Sequence, residues 1–418
     1  MSPRFSDSNL FKPIKVGDGK ITLNHRVVHA PTSRSRSTGD GSHFPTDLML
    51  EYYDSRSRSK GTLIIFESCL VSPRSGLVPY KSGVWSKSRC KALKKITDKI
   101  HANGSYVSCQ IFAPGRIANI EEMKEKNLPY TAPSSIYHSK IQEEQAETHN
   151  YPLRALTIEE IKEIQDDFVQ AAINCIEEAG FDFVELHGSS GFLIEQFLSP
   201  ISNTRNDQYG GSVENRCRFL IEIIEKLIEH VGASRIGLRL SAWSQHFGMV
   251  YPENVYTDHP PLTFCNYIVE YLEQKKNKGD EIAYVSISEP RVSGSTDQDP
   301  KDHTNEPLIN RWSGILIRAG GYATNYKAQV NTINTSLLEH VNSDNRTLIA
   351  FSRPFTSNPD LVERLRKNFK LDNYQREFFY THLLNGYLTY GDYIDEQLDS
   401  NRLIFTDSEL NREGVPLA

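Results

Sequence analysis

The stretch VELHGSSGFLIEQF, residues 184–197, carries groups that could do chemistry in two different ways. A serine in the run GSSG at 188–191 would be a nucleophile if it stood on a sharp strand-to-helix turn. That turn needs the spacing G-x-S-x-G, and this run is one residue short. The alternative uses His187 as a hydrogen-bond donor at a strand end, with Ser190 as a second polar group three residues later. We favour His187 over a hydrolytic serine.

Two further polar residues lie inside apolar runs, Gln110 in SCQIFAPG and Arg239 in IGLRLSAW. A buried arginine must be paired or must serve a ligand, because an unpaired buried charge is costly. One interpretation pairs Arg239 with Glu185 or Glu67. In the other, Gln110 and Arg239 hold the polar edge of a flat heterocycle, and the arginine stabilises negative charge when that ring is reduced. The sequence leaves both interpretations open.

Two other runs of the sequence contain the residues of a candidate anion site. IRAGGY contains Arg318 and the pair Gly320 and Gly321, and AFSRPF contains Ser352 and Arg353. Adjacent glycines let backbone N–H groups approach an anion, and a guanidinium grips phosphate oxygens two at a time. The alternative is a turn with a surface arginine. Because the two runs would end the seventh and eighth strands, where barrels commonly bind phosphate, we predict a phosphate-bearing ligand.

These side chains can act together only if the fold brings strand ends to one place. Eight short β-branched runs alternate with helical patterns, which predicts an α/β fold whose parallel strands close into a (β/α)8 TIM barrel. A doubly wound sheet would place a glycine-rich turn after its first strand, and HAPTSRSRS is not one. The predicted strands are Arg26–Pro31, Thr62–Glu67, Tyr106–Phe112, Phe183–His187, Ile236–Leu240, Ala283–Ser288, Ile315–Ala319 and Thr347–Phe351.

Three helices have clear boundaries in the sequence. The first opens with the capping box Thr157-x-x-Glu160 and closes at Gly180. The second runs from Ser212 to Gly232. The third is predicted to begin in SNPDLVERL, with Asn358 as N-cap and proline at the first helical position.

No linker or repeat divides the chain, so we predict a single domain over residues 1–418. Segment 113–155 is rich in Glu, Lys and Pro and has no convincing core face. It is predicted to be a loop excursion over the barrel mouth. Residues 290–312 and the tail from about 399 to 418 are predicted to lie on the surface.

The composition excludes several classes of protein. The chain is 38% apolar and 24% charged, and it has no run of 18 apolar residues that would span a membrane. A net charge of -6 without a basic block argues against nucleic acid as a partner. The first residues, MSPRFSDSNLFKP, lack the apolar core that a signal peptide would have, and the six cysteines form no C-x-x-C pair, which disfavours disulfides and a metal site. We therefore predict a cytoplasmic enzyme.

The chain resembles the Old Yellow Enzyme family of FMN-dependent NADPH dehydrogenases and ene-reductases, in its yeast-type branch. The likeness covers nearly the whole chain and is most specific in EQFLSPISNTRNDQYGGSVENRCRF. The resemblance implies one FMN-binding barrel domain, NADPH as hydride donor, a small-molecule substrate or phenolic ligand, and a possible homodimer.

The resemblance also assigns roles to residues of this sequence. His187 and Ser190 would bind the oxygen of a substrate carbonyl or a phenolic ligand, and Tyr380 would form an aromatic wall over the flavin. Ser33 would direct its hydroxyl at the ring, and Gln110 and Arg239 would hold the pyrimidine edge. The implied cofactor-binding residues are Pro31, Thr32, Ser33, Ser68, Gln110, Arg239, Gly320, Gly321, Ser352 and Arg353.

Four positions depart from the family pattern. Ser190 replaces an Asn or His as the second oxygen-binding group, and Phe192 replaces the tyrosine that gives a proton to the substrate. Phe112 replaces a tryptophan, and the glycines before the phosphate arginine are replaced in the segment Ala350–Ser352. Because Phe192 has no proton to give, we expect flavin reduction to survive better than ene reduction.

Two alternatives stand beside this interpretation. One is a flavoprotein that binds a phenolic or steroid-like ligand and turns over little. The other is a barrel glycosidase that uses two of Glu67, Glu185 and Glu289, although no pair stands out in the sequence.

Overall fold

In the computed structural model, residues 5–253, 255, 260–294, 296–324, 333–393 and 405–417 are described. Eight parallel strands form one closed barrel in which each strand pairs with the next in chain order, and the eighth pairs with the first. The prediction of a (β/α)8 barrel is confirmed. The barrel strands are β1 Val27–His29, β2 Leu63–Leu70, β3 Tyr106–Phe112, β4 Phe183–Gly188, β5 Ile236–Leu240, β6 Tyr284–Ser288, β7 Leu316–Ala319 and β8 Thr347–Phe351.

The barrel has one closed end. An antiparallel hairpin of Ile14–Val16 and Ile21–Leu23 lies under the first residues of the strands and packs with Leu63 and Phe183. At its turn, Gly17 has φ +63°, and a Cβ there would lie 2.8 Å from the Phe183 ring. The hairpin therefore fills the amino end of the barrel, and the carboxyl ends of the strands are left to build a site.

Helices surround the barrel and turn their apolar faces to it. They are α1 Asp47–Arg56, α2 Lys87–Ala102, α3 Ile120–Glu125, α4 Lys140–Thr148, α5 Ile158–Ile173, α6 Leu193–Leu198, α7 Val213–Val231, α8 Pro261–Lys276, α9 Glu306–Ile309, α10 Ser336–Asn342, α11 Arg353–Ser357, α12 Leu361–Lys367 and α13 Asp407–Leu410. The predicted capping box is present, because Thr157 accepts from the Glu160 N–H and Glu160 caps the Thr157 N–H in return.

The predicted start of the helix after residue 357 is wrong by two residues, because α12 begins after Asp360. Asn358 makes hydrogen bonds to a loop instead. Its amide donates to the backbone oxygens of Pro354 and Asp372, and its oxygen accepts from the Asp372 N–H at 2.8 Å. The asparagine therefore anchors a neighbouring loop instead of capping a helix.

Segment 113–155 has a core of its own, so the expectation that it lacks a core face is wrong. It contains α3, α4 and a short strand at Thr131–Ala132 that pairs with Arg154–Ala155. Its apolar side chains, among them Met123 and Tyr130, pack in one cluster with Leu70 and Phe112 at the ends of β2 and β3. The two helices are too short to show a helical repeat in the sequence, which is why the pattern was weak.

The C-terminal tail is largely exposed but contacts the start of α1. Arg412 forms an ion pair with Asp47 at 2.7 Å, and the Leu417 N–H donates to the Pro45 oxygen at 3.0 Å. The beginning of the predicted tail, 399–404, lies outside the described residues.

Three general features hold within the described residues. No helix in those ranges is long and apolar enough to cross a membrane. The same ranges hold no cluster of His, Cys, Asp and Glu suited to a metal ion. All six cysteines are free and buried.

Candidate active site

The residues predicted to bind FMN or the acceptor line one cleft at the carboxyl ends of the strands, whereas Arg318 of the predicted anion site does not. The cleft has two lobes that share Pro31, Thr32, Ser33, Arg239, Gly294, Ser352 and Tyr380. The narrow lobe adds Gly320, Gly321, Tyr322 and Arg353. The wide lobe, of about 400 Å³, adds Ser68, Lys81, Gln110, Phe112, His187, Ser190, Phe192, His246 and Phe247.

The end of β1 forms the boundary between the lobes. Thr32 donates through Oγ1 to the Ser352 hydroxyl at 2.8 Å, which joins the end of β1 to the end of β8. Two buried arginines follow: Arg34 donates to the backbone oxygens of Phe379 and Gly386 at 3.2 and 2.8 Å, and Arg36 also binds the Phe379 oxygen. These bonds hold the loop that carries Tyr380, which is 53% exposed, against the cleft.

A chain of buried polar groups forms the floor of the wide lobe. Ser68 donates to the Gln110 side-chain oxygen, and the Gln110 amide donates to Glu185 Oε1 at 2.6 Å. Arg239 donates through Nη2 to the Ser288 hydroxyl at 2.8 Å, whereas its Nη1 is buried without a partner. A buried donor without a partner is rare in folded proteins and points to a group that a ligand completes.

The charges of Glu185 and Arg239 at this floor affect each other's pKa values. Burial raises the pKa of Glu185 to about 7, against the Arg239 charge and the Gln110 amide. Burial lowers the pKa of Arg239, and the Glu185 carboxylate opposes that shift. Arg239 forms no ion pair with Glu185 or Glu67 among the described residues, although the Glu185 carboxylate acts on it electrostatically, and one of its nitrogens has no protein partner. That Arg239 serves a ligand stays a prediction.

His187 is oriented by Ser189, a residue for which the sequence suggested only a role in the rejected hydrolase turn. The Ser189 hydroxyl lies 3.1 Å from His187 Nδ1 and 3.5 Å from the Ser190 hydroxyl. Nε2 is therefore the ring nitrogen left for a ligand. Burial, and then the charges of Arg239 and Lys81, lower the pKa of His187 well below its ordinary value. The imidazole is neutral near pH 7 and can donate one hydrogen bond to a ligand oxygen.

Phe192 stands at the start of α6 and belongs to an aromatic wall of the wide lobe. Its ring centre lies 4.8 Å from that of His187 and 4.7 Å from that of Phe112, both edge to face. Phe247 lies 5.8 Å away on another side, with a left-handed backbone (φ +51°) that is uncommon for a bulky residue. The wall carries no hydroxyl at position 192, where the resemblance implies a tyrosine.

The narrow lobe contains the predicted glycine pair. Gly320 has φ +121° and Gly321 has φ +66°, and Cβ atoms there would lie 2.6 Å from Val292 and 2.8 Å from the Arg291 side chain. The loop after β6 therefore requires both glycines, whether or not an anion binds. Arg318 does not face this lobe, because it forms a buried ion pair with Glu289 at 2.7 Å.

Arg353 lines the narrow lobe, but its guanidinium already has a partner. Both terminal nitrogens donate to the carboxylate of Asp297, on the hairpin of Val292–Ser293 and Thr296–Asp297. A phosphate in this lobe would have to share Arg353 with Asp297. Asp297 was not predicted, because nothing in the local sequence indicates that it pairs with a residue 56 positions away.

Lys81, His246 and Phe247 also line the wide lobe and were not predicted. Each lies in a loop that follows a barrel strand, β2 for Lys81 and β5 for the other two. Their place after strand ends was the only available signal, since chemistry in such barrels is built from those loops.

The residues present fit FMN at both ends. Arg239 offers an unpartnered nitrogen to the polar edge of the flavin ring, and the narrow lobe offers Ser352, Arg353 and a glycine-rich strand end to the phosphate. None of Glu67, Glu185 and Glu289 is among the residues that line the cleft, so the glycosidase interpretation has no support from the geometry. These features of the cleft place the protein in the class of flavin-dependent oxidoreductases.

The chain belongs to the NADH:flavin oxidoreductase / NADH oxidase family, whose sequence model matches residues 9–372. FMN is its cofactor. The chain is 42% identical over 394 residues to a probable NADPH dehydrogenase of Candida albicans, covering 92% of this chain and 91% of the relative. It is 36% identical to enoate reductase 1 of Kluyveromyces lactis, covering 93% and 95%.

A solved structure gives the same result for the fold. Old Yellow Enzyme from Pichia sp. AKU4542 superposes with a TM-score of 0.88 and 38% sequence identity, covering 99% of this chain and 100% of that one. The resemblance to the Old Yellow Enzyme family that the sequence motifs indicate is confirmed.

The contact between Asp297 and Arg353 gives a first prediction. Asp297→Asn should tighten FMN binding to the apoprotein about tenfold, because it releases Arg353 and removes a negative charge from the vicinity of the phosphate. Quenching of FMN fluorescence on titration with apoprotein measures this affinity.

The matched control is Asp299→Asn, which removes the same charge from an exposed position in the same loop. It should leave FMN affinity close to that of the parent protein. Unchanged or weaker binding in Asp297→Asn would show that the carboxylate orients Arg353 for the phosphate instead of competing with it.

Proposed function

We propose that this protein is an NADPH-dependent reductase whose acceptor is an activated alkene such as an α,β-unsaturated carbonyl compound, a quinone or oxygen. FMN, when bound, supplies the hydride chemistry. The observation that carries the proposal is the wide lobe, where a neutral His187 with one free ring nitrogen lines the same cavity as Arg239. The names of the relatives, an NADPH dehydrogenase and an enoate reductase, support this assignment.

The residues of the cleft have separate roles in this proposal. His187 and Ser190 bind the acceptor oxygen by hydrogen bonds. Arg239 places a positive charge beside the polar edge of the ring, where negative charge increases on reduction. Ser33 presents a hydroxyl at the boundary between the lobes, and Tyr380 covers the cleft from the loop held by the buried arginines.

The two departures from the family pattern weaken ene reduction in this proposal. Loss of a positioned general acid typically costs about 10²–10⁴-fold in rate, and Phe192 cannot recover that loss. Loss of one donor to a developing oxyanion costs about 2.7–4 kcal/mol, of which Ser190 recovers a part directly or through a water. Flavin reduction by NADPH needs no proton from position 192 and should be less affected.

The aromatic wall supports a second candidate function. Phe112, Phe192 and Phe247 give the wide lobe an apolar side that suits a phenolic or steroid-like ligand. The protein would then bind such a ligand and turn over little. Slow flavin reduction together with tight ligand binding would favour this function over the reductase.

The visible spectrum of the holoprotein separates these functions. Under anaerobic conditions, NADPH should bleach the flavin band, and cyclohexenone should restore it if the protein reduces enones. Bleaching without return would indicate another acceptor, and a flavin that does not bleach would support the binding protein.

The position of His187 predicts its contribution to binding. His187→Ala should weaken phenolic ligands about tenfold or more, because it removes the donor to their oxygen. Titration of the oxidised holoprotein with a phenol, followed by flavin absorbance, measures this. His246→Ala removes another imidazole from the same lobe and is the matched control. Equal losses in both variants would mean that His187 has no specific contact.

The aromatic wall predicts how ene reduction can be improved. Phe192→Tyr should raise the turnover of cyclohexenone, with about 10²-fold as the lower end of the range for a restored general acid. Phe112→Tyr adds the same hydroxyl to the adjacent ring and serves as control. No gain in Phe192→Tyr, or the same gain in both variants, would show that the proton has another source.

A further inference from the structure

Lys81 is a charged group of the wide lobe to which the proposed reaction gives no role. It lies in the loop between β2 and α2, is partly buried, and donates through Nζ to the Ser33 hydroxyl. Its ammonium also lies 5.7 Å from the centre of the Phe112 ring. The side chain therefore points into the cavity and not into solvent.

The charges around the wide lobe are all of one sign. Lys81, Arg239, His187 and His246 line it, and no aspartate or glutamate is among the lining residues. The Glu185 carboxylate acts electrostatically on Arg239 and raises its pKa against the effect of burial. The two histidines have pKa values below their ordinary value because of burial, so they add little charge near pH 7.

Within the described residues, Lys81 and Arg239 line the wide lobe without a carboxylate at ion-pair distance. Arg318 pairs with Glu289 and Arg353 pairs with Asp297, whereas within the described ranges no carboxylate oxygen forms an ion pair with Lys81. The carboxylate that acts on it at longer range is Glu67, which is buried and is held by the Tyr53 hydroxyl and the Arg34 N–H, each at 3.4 Å. Partly buried lysines without a counter-charge are uncommon unless a ligand completes them.

The hydrogen bond to Ser33 leaves most of the ammonium free. Lysine has three N–H donors and no acceptor, so the Ser33 oxygen must accept. Two N–H groups remain for a ligand. His187 and Lys81 lie near the same ring, with 6.4 Å between the His187 and Phe112 ring centres and 5.7 Å from Lys81 Nζ to the Phe112 centre. A molecule that lies along Phe112 can therefore contact both.

We propose that Lys81 determines acceptor specificity by binding a negatively charged group of the acceptor while His187 binds its carbonyl oxygen. The preferred acceptors are then α,β-unsaturated carbonyl compounds that also carry a carboxylate. This inference rests on the proposed function, because it assigns the substrate class of the same site.

The test compares matched ligands that differ by one charge. 4-Hydroxybenzoate and its neutral methyl ester both present a phenol oxygen, and calorimetric titration of the oxidised holoprotein gives the dissociation constant of each. Lys81→Met should lower the ratio of acid to ester affinity about tenfold or more, the loss expected for a hydrogen bond to a charged group. Lys81→Arg keeps the charge and should retain most of the preference for the acid.

Kinetics give an independent readout with monomethyl fumarate, an anion, and dimethyl fumarate, which is neutral. The ratio of their kcat/KM values should fall in Lys81→Met, mainly through KM. Equal losses for both compounds, or a parent protein that does not prefer the acid, would overturn the proposal.

The flavin spectrum shows that each variant is folded and loaded. Bleaching by NADPH in the parent protein reports on the proposed function separately. Failure of the reductase assignment is therefore distinguishable from failure of anion recognition by Lys81.

Discussion

Closure of the barrel by the pairing of β8 with β1 is the constraint on which the cleft depends. Residues 31–33 and 352–353 are more than 300 positions apart, and they meet because these two strands are neighbours. The hydrogen bond from Thr32 to Ser352 lies directly across that seam. Parallel pairing then brings every strand end to the same rim, so that a floor from β2 to β6 and an anion lobe from β7 and β8 become parts of one cavity.

Charge compensation decides which of these groups remain available to ligands. Arg318 pairs with Glu289 and Glu306, and Arg353 pairs with the carboxylate of Asp297 on the hairpin. Arg239 keeps one nitrogen without a protein partner, although the Glu185 carboxylate acts on it electrostatically. Because an unpaired buried charge is costly, an arginine that has a carboxylate partner has a structural role, and a buried arginine with a free nitrogen is a candidate for binding a ligand.

The sequence predicted the parts of this structure that have a local or periodic basis. Strand runs, the capping box at Thr157 and the long helix at 213–231 all follow from apolar spacing and end signals. The glycines and arginines at the strand ends were located because a barrel fixes where such residues must lie. Asp297, Ser189 and Lys81 were missed because their importance comes from pairing across loops, which no periodicity reports. The core of segment 113–155 was missed for a related reason: its apolar residues come from short helices and a two-residue strand, none long enough to show a period.

The hairpin at the amino end of the barrel affects the order in which ligands can enter at the carboxyl end. With Ile14–Val16 and Ile21–Leu23 filling the amino end, the cavity is reached from the carboxyl rim. In the proposed reaction, the hydride donor and the acceptor would both enter from that one rim and compete for the wide lobe. They therefore exclude each other and must take turns, so that the oxidised donor leaves before the acceptor enters. Excess of either compound then slows the cycle by blocking the entrance of the other, and the ratio of the two concentrations sets the pace of turnover.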